Sequence, residues 1–462
     1  MKTQEHFFKA VCALAIPVAL QSMLQSSFSM VDQIMIGQLG EINVAGVGLA
    51  GKFASIYSVV ISAIGAVAGI MIAQYLGQKN RSEVRRSFFI NLLLGAGIAG
   101  IFMVICTLFP NQIMGAYIRD TQTRQTAAEY LMLISGTFIP VAVSTLLSTL
   151  FRCLEKPWLP LYASIFSALL NTGLNYIFIF GKLGITPMGV RGAAFATVIS
   201  QCANFLLMLL MLFQNSSLLK SNKGESTVTL RMNWGQYWSM LLPLLVCEVV
   251  WSLGENVYAA IYGHMSTDAS AAMTLTNPIQ GLVIGALCGL SQATSVIIGK
   301  HLGSGENEEA YWSAKKLMLY GAVGSALLSI IVMIVSKAYV GIYQVDNAVK
   351  TMTMQILFAY AIVVPFKVLN MILGGGIIRS GGRTKYVMFI DMVGTWCFGV
   401  PLGILSAFVW KLSIPYVYFL LSLEECIRFG ISLIVFHRRK WMNQLDKSNQ
   451  SRALSMMGKK SK

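Results

Sequence analysis

The segment Ser87–Pro110 reads SFFINLLLGAGIAGIFMVICTLFP and carries no charged residue. A transmembrane α-helix needs about 20 predominantly apolar residues. The strands of a transmembrane barrel alternate lipid-facing apolar and inward-facing polar residues, and residues 90–105 show no such alternation. The segment is therefore predicted to cross a membrane as an α-helix.

The composition of the whole chain points the same way. Apolar residues make up 55% of the 462 positions, charged residues only 12%, and the mean hydropathy is +0.65. Soluble domains have about 25% charged residues. A chain with half that share has a surface better suited to lipid than to water. The net charge of +16 comes largely from short loops and the C-terminal end, where basic residues meet lipid headgroups. We therefore expect membrane lipids as partners and no nucleic acid.

Eleven further apolar runs resemble the first, which predicts an all-α integral membrane protein with twelve transmembrane helices. Their approximate bounds are 10–37, 45–74, 87–110, 124–151, 158–181, 190–214, 237–263, 270–297, 314–336, 349–378, 385–408 and 412–436.

The distribution of lysine and arginine predicts the orientation of these helices. With the N-terminus placed inside, 25 of the 35 basic residues fall in inner segments and 7 in outer ones. Cytoplasmic loops carry the excess of Lys and Arg in membrane proteins. We expect a multi-pass protein of the plasma membrane with both termini in the cytoplasm.

The two halves of the chain repeat each other at an offset of about 226 residues. Landmarks coincide in order: Pro17 with Pro243, Gly37 with Gly263, Leu76-Gly77 with Leu302-Gly303, Glu83 with Glu309, Arg152 with Arg379, and Lys156 with Arg383. Repeats of six helices share one orientation and are related by an axis along the membrane normal. This predicts an N-terminal six-helix lobe (1–214), a cytoplasmic linker (215–233), a C-terminal lobe (234–440) and a basic tail (441–462).

Several motifs resemble those of the multidrug and toxic compound extrusion (MATE) family. They are Met30–Gly40 in the first helix, Ala73–Lys79 after the second, Asn171–Asn175 in the fifth, Gly192–Thr197 in the sixth, and Pro401–Gly403. The resemblance covers nearly the whole chain. It implies a secondary antiporter that expels organic, often cationic, compounds in exchange for H⁺ or Na⁺, with no cofactor other than this coupling ion. We also expect a monomer.

Two positions depart from the family pattern. Some members have Asn-x-x-x-Asp in the fifth helix, where this chain has Asn171 and Asn175. Some also carry an acid in the tenth helix, where this chain has Lys367 and Asn370. Coupling schemes that need those acids do not carry over directly.

Ionisable residues inside membrane helices are costly and mark functional sites by default. Asp32 lies in the outer part of the first helix, at a depth similar to Asn171 and Asn175, which are one turn apart on one helix face. An acid facing two amides can keep its charge and coordinate a cation, or bind a proton. Thr197 is the last residue of the family motif Gly192–Thr197, and the resemblance adds it to this candidate site.

Glu248 and Glu255 form the second candidate site, seven residues apart on one face of the seventh helix. Two such acids can share a proton, so we expect Glu255, supported by Glu248, to couple ion entry to cleft opening. No metal site is certain; Asp32 and Glu255 are the candidate Na⁺ positions. Asp391, at the start of the eleventh helix, is either a residue of the central cleft or a helix-end anchor.

Three charged residues near the C-terminus, Glu424, Glu425 and Arg428, have the spacing of an internal ion pair on one helix. We interpret them as structural. Lys367 follows Pro365 in the tenth helix and is a candidate counter-ion for a nearby acid.

Two other functions compete with drug export. A flippase for lipid-linked saccharides has a related fold, but its cleft should be cationic to hold pyrophosphate, whereas Asp32, Glu248 and Glu255 favour cationic cargo. An enzyme is not expected, since the sequence contains no H-E-x-x-H and no G-x-S-x-G motif.

Overall fold

Helices make up nearly all of the part of the chain that the computed structural model describes, which is residues 2–215, 233–343 and 345–445. Those of the first half are α1 (Lys2–Gly37), α2 (Glu41–Gly77), α3 (Arg81–Leu108), α4 (Thr121–Cys153), α5 (Trp158–Phe180) and α6 (Gly189–Gln214). Those of the second half are α7 (Trp234–Met265), α8 (Thr267–Ser304), α9 (Asn307–Gly341), α10 (Asn347–Ile378), α11 (Thr384–Val409), α12 (Ile414–Ser422) and α13 (Glu424–His437). A short helix, Pro110–Gly115, follows α3.

Within these residues eleven helices, α1 to α11, are long and apolar enough to cross a membrane. The twelfth predicted span, 412–436, is interrupted: α12 ends at Ser422, Leu423 forms a turn, and α13 begins at Glu424. The prediction of an all-α membrane protein is confirmed. The break coincides with the two carboxylates of this span, which places them at a helix N-terminus, where acids are favoured.

The last membrane helices also contain π-helical turns. The segments Met371–Ile378, Val393–Gly399 and Leu405–Val409 are wound more widely than an α-helix. Such turns are rare and concentrate at functional sites. In this chain they lie on α10 and α11, the helices that pack around the buried charges described below.

Two glycines that the repeat predicted to be equivalent meet at the ends of α2 and α8. A Cβ on Gly77 would collide with the carbonyl of Lys300, and a Cβ on Gly303 would collide with the carbonyl of Gln74. The two contacts are reciprocal, because residues 74 and 77 of one repeat meet residues 303 and 300 of the other. Only glycine allows two helix backbones to approach so closely.

Contacts divide the chain into two units. One contains the described parts of Met1–Val11, Ile70–Asn80 and Met232–Lys462; the other contains Cys12–Gly69 and the described part of Arg81–Arg231. The end of α2 therefore belongs with the C-terminal helices. The predicted linker lies outside the described residues except for Asn215 and Asn233, as does the predicted tail beyond Leu445.

The beginning of the predicted tail is packed against helices. We call Trp441–Leu445 the C-terminal strap; the Trp441 side chain is completely buried and Leu445 nearly so. Gln74 of α2 binds the strap through both polar atoms of its side-chain amide. Its Oε1 accepts from the backbone N–H of Leu445 at 2.8 Å, and its Nε2 donates to the carbonyl of Asn443 at 3.1 Å. The strap thereby fixes the end of α2 within the C-terminal unit.

Candidate functional site

Asp32 lies five residues before the end of α1 and faces polar side chains of α5 and α6. Asn175 Nδ2 donates to Asp32 Oδ1 at 2.8 Å and to Asn171 Oδ1 at 3.2 Å. Asn171 in turn lies 3.4 Å from the hydroxyl of Thr197, which donates to the carbonyl of Ala193. The structure thus brings together all four residues predicted for this site, which we call the Asp32 cluster.

The amide of Asn171 can also face the carboxylate directly. If its nitrogen and oxygen exchange places, the nitrogen lies 2.9 Å from Asp32 Oδ1 and 3.0 Å from Oδ2. Amide orientations are assigned from the hydrogen-bond network, and both orientations keep Asp32 in contact with amide donors. Asn175 is only 1% exposed, and its Oδ1 has no hydrogen-bond partner in the described structure. The Asp32 cluster therefore combines a carboxylate with an unused amide oxygen.

The C-terminal unit contains a cavity of about 270 Å³ between α7, α8, α10, α12 and α13. We call it the C-terminal cavity. Three carboxylates line it, those of Glu255, Glu424 and Glu425, together with one ammonium, that of Lys367. Four tyrosines form much of the wall: Tyr258, Tyr262, Tyr360 and Tyr418. Aromatic rings and carboxylates both attract cations, so the lining suits a positively charged ligand.

Two of the cavity carboxylates have fixed orientations. The hydroxyl of Tyr258 donates to Glu424 Oε2 at 2.5 Å, and Asn370 Nδ2 donates to Glu425 Oε2 at 2.8 Å. Gly399 of α11 makes the first contact possible, since a Cβ there would collide with both the tyrosine hydroxyl and the carboxylate. Glu255 lies one helix turn before Tyr258 and is exposed, so it is the accessible acid of the cavity.

Arg428 lies behind the cavity and connects three acids from two helices. Its guanidinium is 2.7 Å from Asp391 Oδ1, 3.6 Å from Glu425 Oε1 and 3.9 Å from Glu424 Oε1. Arg428 is 7% exposed, and the two glutamates are as deeply buried. We call these four residues the Arg428 network. The predicted internal ion pair of this helix is confirmed, and the closest partner of Arg428 is the acid on α11.

Asp391 does not occupy the helix-end position, which was one of the two places predicted for it. It lies seven residues after Thr384, where α11 begins, so it is not a helix-end anchor, and its carboxylate contacts Arg428 and the thiol of Cys247, whose Sγ donates to Oδ2 at 2.8 Å. We therefore assign Asp391 to the Arg428 network. The sequence pattern missed this because the partner is on a different helix.

Glu248 and Glu255 are not brought together. At 1.5 Å per residue they are about 10 Å apart along α7, and they have different surroundings. Glu248 Oε1 lies 3.8 Å from a guanidinium nitrogen of Arg379, whereas Glu255 lines the C-terminal cavity. The prediction that these two acids share a proton is wrong, because two full turns separate them even though they are on one face of the helix.

The sequence pattern did not identify the cavity tyrosines or the amides Asn277 and Gln280, which also line the cavity. Tyrosine is common in membrane helices near the interface, so its presence carried little signal. Asn277 did carry a signal in the sequence, because it is a polar residue directly before Pro278, in the interior of the long helix α8.

Two family models match the chain. The model described as MatE matches residues 17–177 and 243–405, one stretch in each predicted half. The model described as lipid II flippase MurJ matches residues 117–273.

Similar proteins span nearly the same length. A probable multidrug resistance protein NorM of Thermotoga maritima is 22% identical over 443 residues, which cover 94% of this chain and 93% of the relative. Multidrug and toxin extrusion protein 2 of Pongo abelii is 23% identical and covers 87% of this chain and 71% of the relative.

Solved structures share the fold. A mutant of the Vibrio cholerae MATE transporter VcmN has a TM-score of 0.86 at 15% identity, covering 96% of this chain and 100% of that one. A MOP superfamily transporter from Pyrococcus furiosus has a TM-score of 0.83 at 16% identity, covering 93% of this chain and 95% of that one. This chain therefore has the two-lobed, twelve-helix fold of those transporters, and since the MatE model matches well over half of its length, it belongs to the MatE family of multidrug and toxic compound extrusion transporters.

Proposed function

We propose that this chain is an exporter of small organic cations that works by antiport with H⁺ or Na⁺. The observation that carries the proposal is the lining of the C-terminal cavity, where three carboxylates and four tyrosines surround a space of about 270 Å³ within membrane helices. Buried acids attract a cation, and tyrosine faces add cation–π attraction. The relatives described above, a probable multidrug resistance protein and a multidrug and toxin extrusion protein, agree with such cargo.

The orientation and setting proposed here follow from the charge distribution. With 25 basic residues in the inner segments against 7 in the outer ones, the charge asymmetry supports cytoplasmic termini, and the plasma membrane is the setting that export from the cell requires. The transporter acts as a monomer. In this setting, the inward gradient of the coupling ion drives the export of cargo.

Glu255 and the Asp32 cluster are the proposed points of ion coupling. Glu255 is the exposed acid of the C-terminal cavity, so it can exchange a proton with a ligand or water in that space. Asp32 is held by amide donors that stabilise its charged form, and the free Oδ1 of Asn175 adds an oxygen for a cation. Each acid can therefore bind the coupling ion in one conformation and release it in the other.

The MurJ match covers residues 117–273 and reflects a related fold, so it does not favour the alternative of a lipid-linked saccharide flippase. Pyrophosphate needs several cationic partners. Among the described residues that line the C-terminal cavity there is one, Lys367, beside three carboxylates. The charge of the cavity therefore favours the exporter.

Transport by purified protein in proteoliposomes tests the proposal. An imposed pH gradient, an imposed Na⁺ gradient, or both should drive transport of a fluorescent organic cation such as ethidium. The same vesicles should not move a labelled lipid-linked saccharide between the two leaflets. Movement of the lipid without movement of ethidium would establish the flippase instead.

Variants then locate the coupling. Glu255→Gln and Asp32→Asn each remove a charge with little change of shape, and each should reduce gradient-driven transport at least tenfold. Glu248→Gln is the matched control, because Glu248 is on the same helix as Glu255 but lies beside Arg379. Normal coupled transport by Glu255→Gln would restrict coupling to the Asp32 cluster.

A further inference from the structure

Lys367 is an unusual component of a cavity that otherwise attracts cations. It is located on α10, three residues before Asn370, and lines the C-terminal cavity together with Glu255, Glu424 and Glu425. An ammonium inside a membrane helix is costly unless it meets an acid or water. Its side chain is partly exposed into the cavity rather than enclosed by packing. Its charge is therefore available to whatever occupies that space.

The buried cation of this region, Arg428, is already paired with acids. Arg428 makes its closest contact, 2.7 Å, with Asp391, and lies behind the cavity rather than in its lining. It balances part of the charge of Glu424 and Glu425 at 3.6–3.9 Å. Among the described residues, Lys367 is thus the cationic side chain that lines the cavity, which it shares with the accessible acid Glu255.

The remaining lining would suit a small metal cation if the ammonium were absent. Hydroxyl and amide oxygens from Ser270, Thr274, Asn277 and Gln280 of α8 lie around the same space as the carboxylate of Glu255. Hard cations such as Na⁺ prefer carboxylate, carbonyl and hydroxyl oxygens. An ammonium in the same cavity repels such an ion and competes with it for oxygen partners.

We propose that Lys367 is a tethered cation that occupies the C-terminal cavity when cargo is absent, so that an organic cation enters by displacing the lysine ammonium and Na⁺ does not bind there. The proposal rests on the proposed export of organic cations and adds how one site selects its ligand. A long, flexible side chain can withdraw along the cavity wall. An organic cation with aromatic rings has an advantage over Na⁺ in displacing it, because it also buries apolar surface against the four wall tyrosines.

Equilibrium binding of ethidium to the purified full-length protein, followed by fluorescence, tests this without any transport step. Binding is measured in NaCl and in KCl of equal ionic strength, for the wild type, Lys367→Gln and Lys367→Arg. We expect equal affinities in the two salts for the wild type and for Lys367→Arg. Lys367→Gln should bind ethidium at least tenfold more tightly in KCl, and NaCl should weaken that binding at least fivefold.

Two further variants keep the result interpretable. Lys52→Gln is the matched control, a lysine on an exposed face of α2, and should behave as the wild type. Glu255→Gln should weaken ethidium binding, and the double variant Glu255→Gln/Lys367→Gln should return to within threefold of the wild type, because the two removed charges have opposite effects.

Three results would overturn the proposal: wild-type binding that Na⁺ weakens relative to K⁺, Lys367→Gln affinity no higher than that of the wild type, or no measurable binding by the folded protein. The proposed function fails separately, if binding behaves as expected but proteoliposomes do not move ethidium under any gradient.

Discussion

Replacing Arg428 with methionine leaves the three acids of the Arg428 network without their shared cation. The substitution keeps most of the apolar stem but removes the contact of 2.7 Å to Asp391 and the weaker ones to Glu425 and Glu424. Removing one partner of a buried ion pair costs about 3–5 kcal/mol. The two glutamates keep hydrogen bonds from Tyr258 and Asn370, so most of the loss should come from Asp391.

A double-mutant cycle separates that contribution. Unfolding free energies are measured in mixed micelles, by denaturant titration followed by tryptophan fluorescence, for Arg428→Met, Asp391→Asn and the double variant. We expect Arg428→Met to lose about 3–5 kcal/mol and the double variant to lose about 2–3 kcal/mol less than the sum of the two single losses.

The chain offers an exposed pair as the control. Arg191 Nη2 lies 3.0 Å from Glu129 Oε2, but the two side chains are 63% and 35% exposed. Exposed ion pairs contribute about 0–1 kcal/mol, so Arg191→Met should change stability by less than about 1 kcal/mol. A loss of less than 1 kcal/mol in Arg428→Met, or an equal loss in both arginine variants, would refute the role of burial in this argument.

Three other predictions follow from single contacts. Gly399→Ala should destabilise the protein by about 1–3 kcal/mol and weaken ethidium binding, because the new Cβ collides with the Tyr258 hydroxyl and the Glu424 carboxylate; unchanged binding at equal expression would show that this contact does not shape the cavity. Trp441→Ala should cost about 3–5 kcal/mol by thermal unfolding, since the side chain is fully buried, and a loss under 1 kcal/mol would mean that the strap is not tightly packed. A tag placed after Lys462 should be labelled only after the cells are permeabilised, and labelling of intact cells would reverse the proposed topology.

Much of the helical framework could be predicted because its cause is local. A run of about 20 apolar residues can satisfy its backbone in a membrane only as a helix or in a closed barrel, and the residues of such a run are adjacent in the chain. The Asp32 cluster could be predicted from the sequence for a similar reason. Asn171 and Asn175 share a helix face by their spacing alone, and a membrane helix gives the depth of Asp32.

The contacts that the sequence did not reveal depend on how helices rotate against one another. Asp391 and Arg428 meet across α11 and α13, and no spacing within one helix indicates that contact. Glu248 and Glu255 illustrate the opposite case: their shared face was correctly inferred, but separation along the axis gives each a different partner. The interruption of the last span at Leu423 could not be predicted, because neither glycine nor proline, the usual signals of a helix break, lies there.

The C-terminal strap has a consequence for the timing of synthesis. Gln74 bonds to the backbone of Leu445, a residue 371 positions later in the chain. At about 5–20 residues per second, a growing chain needs about 20–75 seconds between these two residues. During that time the side-chain amide of Gln74 has to form its hydrogen bonds with water or with another part of the chain. This end of α2 is therefore completed only after Leu445 has been synthesised, and a chain that stops before Leu445 keeps the unfinished state permanently.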